Sequence, residues 1–499
     1  MEAANMKRRN LIMIAAMVII VLSSGTTAFT AYNHGGDTDS VNFRTVYPEE
    51  IGTKLDSCAL CHTGGQYNTN TYYGSCQWCH YVTSYGADST PANLLKTLNA
   101  YGLDYLNNGR DVNALVAIRN FDSDGDNYTN ETEIAAGTYP GDKTDDPSKV
   151  PAPSIVLSIE ELEKMVQHTQ FLLMNTTKDA SGDFYTEYDG IALENLIRAL
   201  MLDSATGITV YAPDGFATYH PFSANPNPNI YHVFGIYPSS IFYYDTQADM
   251  ATNPSTGWCN YSSPAAANRG NGDPIFNPDD LKMMLAFERD GEYLTPGVLN
   301  SANKLDGEGP FRVVPPQKNP GPPDQRSTAA NATNPAVWIW PYSTSNDHNA
   351  GFSSRAVTMI RVEPLPLGTT DVKEIEAAWS YIDEKKIIIY GAINPSPVDN
   401  LNKSLDSLIT AIKSLKISAF KNKLHQATLV NKIEAIKNQV AAGAYSGALS
   451  KLKNDVLQKM NGYLSGAVDA NDWVSDLNAQ KQLVFQIQTI SIMLVILGG

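Results

Sequence analysis

Cysteine is scarce here: five in 499 residues, four of them in two close pairs and Cys259 alone. That distribution leaves no disulfide framework running through the chain. Histidine is nearly as rare, at eight, so each imidazole matters. Positive charge is in deficit, with 36 Lys and Arg against 52 Asp and Glu and a net charge of −16. So acidic a chain is poorly suited to nucleic acid or to anionic lipid surfaces. Long apolar runs are missing too. Residues 11–22 give about twelve, and the fifteen of residues 483–497 are interrupted by Gln486 and Gln488. Both fall short of the roughly 20 needed to cross a bilayer, so no membrane span is expected once the N-terminal leader is removed, and residues 483–497 are expected to pack in a helical bundle. Hydrophobic residues are not lacking: 43% of the chain is enough for real cores, and the length predicts about three domains.

The N-terminus has the form of a secretory signal over residues 1–31. Lys7, Arg8 and Arg9 make the charged region, residues 11–22 the apolar region and residues 23–31 a small-residue cleavage zone. An uncleaved anchor is the alternative. Export to the periplasm or the outer surface is the expectation.

The paired cysteines carry the sharpest signal. Cys58-Ala-Leu-Cys61-His62 is followed after thirteen residues by Cys76-Gln-Trp-Cys79-His80. C-x-x-C-H is the c-type haem attachment pattern: the cysteines form thioethers with the porphyrin, and the adjacent histidine becomes the proximal iron ligand. Four thiolates closing a zinc site and two disulfides are the rivals. Neither needs a histidine after each second cysteine, and with eight in the chain the repeat favours two haems. Cys58, Cys61, Cys76 and Cys79 are the expected attachment points, with His62 and His80 proximal. Distal candidates are His34, on a Gly-rich arm, and His232 and His348, in aromatic, turn-rich stretches. Residues 32–120 are read as the dihaem segment.

Asp122-Ser-Asp124-Gly-Asp126-Asn-Tyr128-Thr-Asn130-Glu-Thr-Glu133 has the spacing of an EF-hand-like calcium loop. Asp122, Asp124, Asp126, Asn130 and Glu133 supply side-chain oxygens and Tyr128 a carbonyl. Asn127 stands where glycine is usual, and asparagine tolerates positive φ. The loop is expected to act as a structural staple. Residues 121–150 are read as loop and linker, the linker being the Pro- and Asp-rich residues 140–153.

A mixed α/β domain is expected over residues 154–395. Residues 159–174 have helical spacing, and the stretch Tyr188–Arg198 enters a second helix. Residues 208–219 read as a hairpin turning at Asp214-Gly215. Residues 281–294 read as strand, turn, strand, and residues 307–315 as a Gly/Pro-bounded strand. In this order the segments resemble the sulfite-oxidase-type molybdopterin domain. The resemblance implies a thiolate ligand to molybdenum within residues 172–187, where no cysteine stands; Cys259 comes far later, so molybdopterin is not expected. The two C-x-x-C-H motifs, the acidic loop and Gly307-Glu308-Gly309-Pro310 together resemble the GEGP-motif dihaem cytochromes. That resemblance implies electron transfer with other redox proteins or cytochromes. Glu308 itself is read as a solvated carboxylate at a strand entry.

Residues 371–384 read as a helix and residues 386–390 as a buried strand. Residues 395–402 read as a linker into a helical domain over residues 398–499. Within it, residues 420–456 resemble exported modules of the FIMAH type, with the turn at residues 441–445. The chain is therefore expected to be α+β and multidomain, and to be an electron carrier rather than a catalyst. An oxidoreductase whose α/β domain feeds electrons to the haems is the second reading, and a surface scaffold the third.

Overall fold

The computed structural model describes residues 38–51, 53–56, 58–61, 66–68, 71–72, 98–174, 183–213, 217–225, 230–235, 237, 242–244, 259–260, 273–275, 281–299, 305–316, 349–372 and 379–499. Among these the chain is mixed α+β, with eleven helices and several sheets.

The N-terminal segment closes its own small core. Helices Thr38–Val46, Ala100–Asn107, Val112–Ala117 and Asn130–Ala136 bring together Phe43, Leu55, Leu60, Tyr101, Leu115 and Ile134. Short polar caps fix where these helices begin. Asn99 accepts the Gly102 N–H at 2.8 Å, and Asp111 accepts the Ala114 N–H at 2.8 Å. The expected division at residue 120 does not hold, because Ile134, beyond the acidic loop, belongs to the same core as Phe43.

Two larger sheets dominate the described residues of the body. In the five-stranded one the order is Ser154–Ser158, Lys386–Gly391, Met359–Glu363, Gly207–Tyr211, Ala217–Pro221. The hairpin expected at residues 208–219 is its outer pair, with Ile208 opposite His220 and Val210 opposite Thr218. The seven-stranded sheet is built around Asp183–Ala192, Met284–Arg289 and Phe311–Val314. Residues 281–294 form the expected strand, turn and strand: Asp290 and Gly291 turn at φ +53° and +82°, and Glu288 pairs with Tyr293.

Three expectations change. Residues 159–174 are not one helix. Ser158 and Glu161 form a capping box that starts a helix ending at Lys164, and His168–Met174 pairs along its whole length with Asp183–Ala192. Residues 140–153 are not a loose linker, since Asp145 is buried and Val150–Pro151 forms a parallel pair with Thr369–Thr370. Nor do residues 395–402 separate two bodies. The helix Val398–Ser414 begins within that stretch, and its Leu401, Leu405 and Leu408 join the same apolar cluster as Leu285, Ile360 and Ile490.

The helix Leu477–Ile496 explains that continuity. It packs against the helices Leu193–Leu200 and Val398–Ser414, so it lies between tail and sheets. Polar contacts accompany that packing: Asn195 Nδ2 donates to the Phe485 carbonyl at 2.9 Å, and the Val166 N–H donates to Ser491 Oγ at 2.9 Å. Of the two glutamines that interrupt the apolar run, Gln488 is buried and its Nε2 donates to the Gln167 carbonyl at 3.3 Å, and no described helix is long and apolar enough to cross a membrane. The turn at residues 441–445 lies between helices His425–Ala441 and Tyr445–Lys451, with Gly443 at φ +70°.

Candidate functional site

Of the first C-x-x-C-H motif, residues 58–61 are described. Cys58–Leu60 is a single 3-10 turn. With three residues per turn, positions 58 and 61 stand one turn apart. The helix Ala100–Asn107 grips this turn through its first residues. The Asn99 N–H donates to the Cys61 carbonyl at 2.8 Å, and Asn99 Nδ2 donates to the Leu60 carbonyl at 3.0 Å. Gly102 permits the contact, since a Cβ there would lie 2.5 Å from the Cys61 oxygen. Cys61 carries a half-exposed thiol. Tyr101, buried beside it, has its phenol held well above the ordinary range by burial and then by Cys61.

His62, Cys76, Cys79, His80, His34 and His348 lie outside the described residues. His232 is described, and its ring stacks on Tyr237 at 4.5 Å. Its neighbours Tyr231 and Val233 belong to the main core, whereas Leu60 and Tyr101 belong to the separate N-terminal one.

The acidic loop is the best-defined constellation. Oxygens of Asp122, Asp124 and Asp126 all lie within 4.8 Å of one another. The backbone wraps Asp122, whose Oδ1 accepts the N–H groups of Gly125 at 2.8 Å and Asp126 at 3.1 Å, and whose Oδ2 accepts that of Asn127 at 3.0 Å. Asn127 adopts φ +81°. Glu133 is fully buried, and neither of its carboxylate oxygens has a hydrogen-bond partner; both Asp124 oxygens share that condition. Burial, then Asp124, Asp126 and Asp122, pushes Glu133 up to about 9. Burial and then Asp126 pushes Asp124 up to about 6. Clustered buried oxygens without donors are the chemistry of a hard divalent cation.

Asn130 does something other than the sequence suggested. Its Nδ2 donates to the Ile118 carbonyl at 2.8 Å and to Ser123 Oγ at 3.0 Å, and its Oδ1 accepts the Ser123 N–H at 3.3 Å. It braces the loop. Tyr128 keeps an exposed ring, which is compatible with its carbonyl acting in place of its side chain.

The carboxylate of Glu308 is half-buried and paired, not free in solvent. It is clamped between Arg289 and Arg312, the latter at 2.9 Å. Arg312 is itself buried, donating through Nε to Ser353 Oγ at 2.7 Å and through Nη1 to Tyr188 Oη at 3.3 Å. Glu308 therefore holds three strands together. The position of Cys259 also differs from its sequence distance: Cys259–Asn260 pairs in parallel with Asp183–Phe184, inside the window where the molybdopterin resemblance placed a thiolate.

Sequence reasoning missed Lys54. It is buried beside the N-terminal core, with Nζ donating to Asp145 Oδ2 at 2.9 Å and to Thr370 Oγ1 at 2.5 Å. Nothing in the surrounding Gly-Thr-Lys-Leu-Asp distinguishes it from a surface lysine.

Comparison with protein-family models, curated proteins and solved structures finds no match to this chain.

Proposed function

We propose that this chain is an exported dihaem c-type cytochrome that passes electrons to other redox proteins, with a calcium ion stapling its N-terminal segment. The observation that carries the reading is the repeated C-x-x-C-H. Haem iron supplies one-electron exchange when bound. The residues of the chain supply the attachment and its support. Cys58 and Cys61 stand one turn apart, Asn99 and Gly102 press the helix Ala100–Asn107 onto that turn, and Tyr101 lies buried beside Cys61. His34 and His348 remain the distal candidates; His232, packed in the other core, is the weakest of the three.

The purified holoprotein should give a pyridine haemochrome spectrum equivalent to two haems per chain, with calcium and no zinc by elemental analysis. One zinc and no haem would sink the proposal. Two haems that bind carbon monoxide rapidly would replace the carrier with the oxidoreductase.

Calcium is supported separately, by the partnerless oxygens of Asp124 and Glu133. Replacing Asp124 and Asp126 together by alanine should abolish calcium binding and increase proteolysis at residues 140–153. A double variant equal to wild type in both respects would leave the loop merely acidic.

A further inference from the structure

Resting on the reading of the loop as a cation site, we propose that the site extends beyond the loop to Asp145, a positioning residue that links ion binding to the anchoring of the N-terminal segment on the sheets. The contacts run without a break. The Glu133 carbonyl accepts the Thr138 N–H at 2.9 Å and Thr138 Oγ1 at 3.1 Å. The next residue, Tyr139, donates its N–H to Asp145 Oδ2 at 3.1 Å and its hydroxyl to the Lys54 carbonyl at 3.2 Å. Lys54 Nζ lies 4.7 Å from the centre of the Tyr139 ring. From Asp145 the ammonium reaches Thr370, in the strand that pairs with Val150–Pro151. Lys54 stands four residues before Cys58, so the clasp fixes the start of the first cysteine motif.

Charge makes the contacts interdependent. Asp145 is buried, one of its oxygens holding Lys54 and the other, Oδ1, without a partner. It lies close enough to Glu133 to act on that carboxyl electrostatically. Two carboxylates in a low-dielectric interior repel strongly, and Lys54 pairs with only one of them. A divalent cation held by Asp122, Asp124, Asp126 and Glu133 offsets that repulsion, so that Asp145 can hold Lys54 and the Tyr139 N–H without opposing a second carboxylate. By linkage, an intact clasp then strengthens ion binding to the same degree.

The test uses full-length holoprotein and calcium alone as the probe. By titration calorimetry, Asp145→Asn should weaken calcium binding about 10–100-fold, as loss of an outer-shell carboxylate does elsewhere. In the wild type, calcium should slow hydrogen exchange at the amides of Val150 and Ala152, which donate to the Gly368 and Thr370 carbonyls at 3.1 and 2.9 Å. Thr370→Val keeps every carboxylate but removes the far end of the clasp, so by the same linkage it should weaken calcium binding by less than Asp145→Asn does, while those two amides lose their response to calcium. It also serves if Asp145→Asn fails to fold. Wild-type affinity in Asp145→Asn overturns the coupling, as do wild-type amides indifferent to bound calcium. A flat wild-type isotherm overturns the loop reading itself, and the coupling with it.

Discussion

Replacing Cys58 and Cys61 together by alanine should reduce covalently bound haem from two groups per chain to one. Attachment needs a sulfur at each position, and the second motif, Cys76 to His80, is untouched by the change. The substitution is mild for the polypeptide. The contacts that seat the first motif on the helix Ala100–Asn107 use the Cys61 and Leu60 carbonyls, which alanine retains. A halved haemochrome absorbance, with the corresponding single-haem intact mass, would therefore report lost attachment and not a collapsed segment. Two haems in the double variant would refute the assignment of these cysteines. Loss of a zinc ion in place of haem would convert the motif pair into a structural metal site.

The second large effect concerns Glu308. Alanine there leaves Arg312 buried and charged without its carboxylate, and removing one partner of a buried ion pair costs about 3–5 kcal/mol. A typical domain has about 5–15 kcal/mol in total, so the loss is a large share of its stability. Arg312 cannot shed its proton to escape the penalty. Its remaining contacts, Ser353 Oγ and Tyr188 Oη, are neutral. Glu308→Gln should cost less, because the amide oxygen still accepts from one arginine. Chemical denaturation of the full chain, followed by far-UV circular dichroism, checks the order wild type, glutamine, alanine. An alanine variant within about 1 kcal/mol of wild type would show that water replaces the carboxylate.

Local patterns were legible in this sequence and long-range ones were not. Residues 208–219 could be read as a hairpin because alternation and an Asp-Gly turn are encoded within a dozen residues. The turn of the acidic loop was legible down to the positive φ of Asn127, since the spacing of its carboxylates is local, whereas the bracing role of Asn130 was not. Residues 159–174 misled for the opposite reason. Ile159, Leu162 and Val166 keep helical spacing, yet the strand from His168 is decided by its pairing with Asp183–Ala192, which no local period reports. Glu308 looked like a turn carboxylate because Arg289 and Arg312 meet it only after three strands assemble. Lys54 is the extreme case, its partners lying 91 and 316 residues away. Compositional breaks likewise suggested boundaries that the packing does not respect. Proline near residue 395 marks a change from strand to helix, not a gap in the core.

The placement of the helix Leu477–Ile496 governs when this protein can fold. A ribosome that has delivered everything up to Asp476 has made both sheets but not the helix that packs on Leu193–Leu200. Asn195 must then wait for Phe485 and Thr489, 290 and 294 residues downstream. Contacts so distant in sequence slow folding, because the closure entropy is paid before they form. The sheets cannot be finished one after another as the chain emerges. Until residue 496 arrives, apolar surface prepared for that helix stays open to water and to neighbouring nascent chains. Folding of this chain is therefore complete only after synthesis has passed that point.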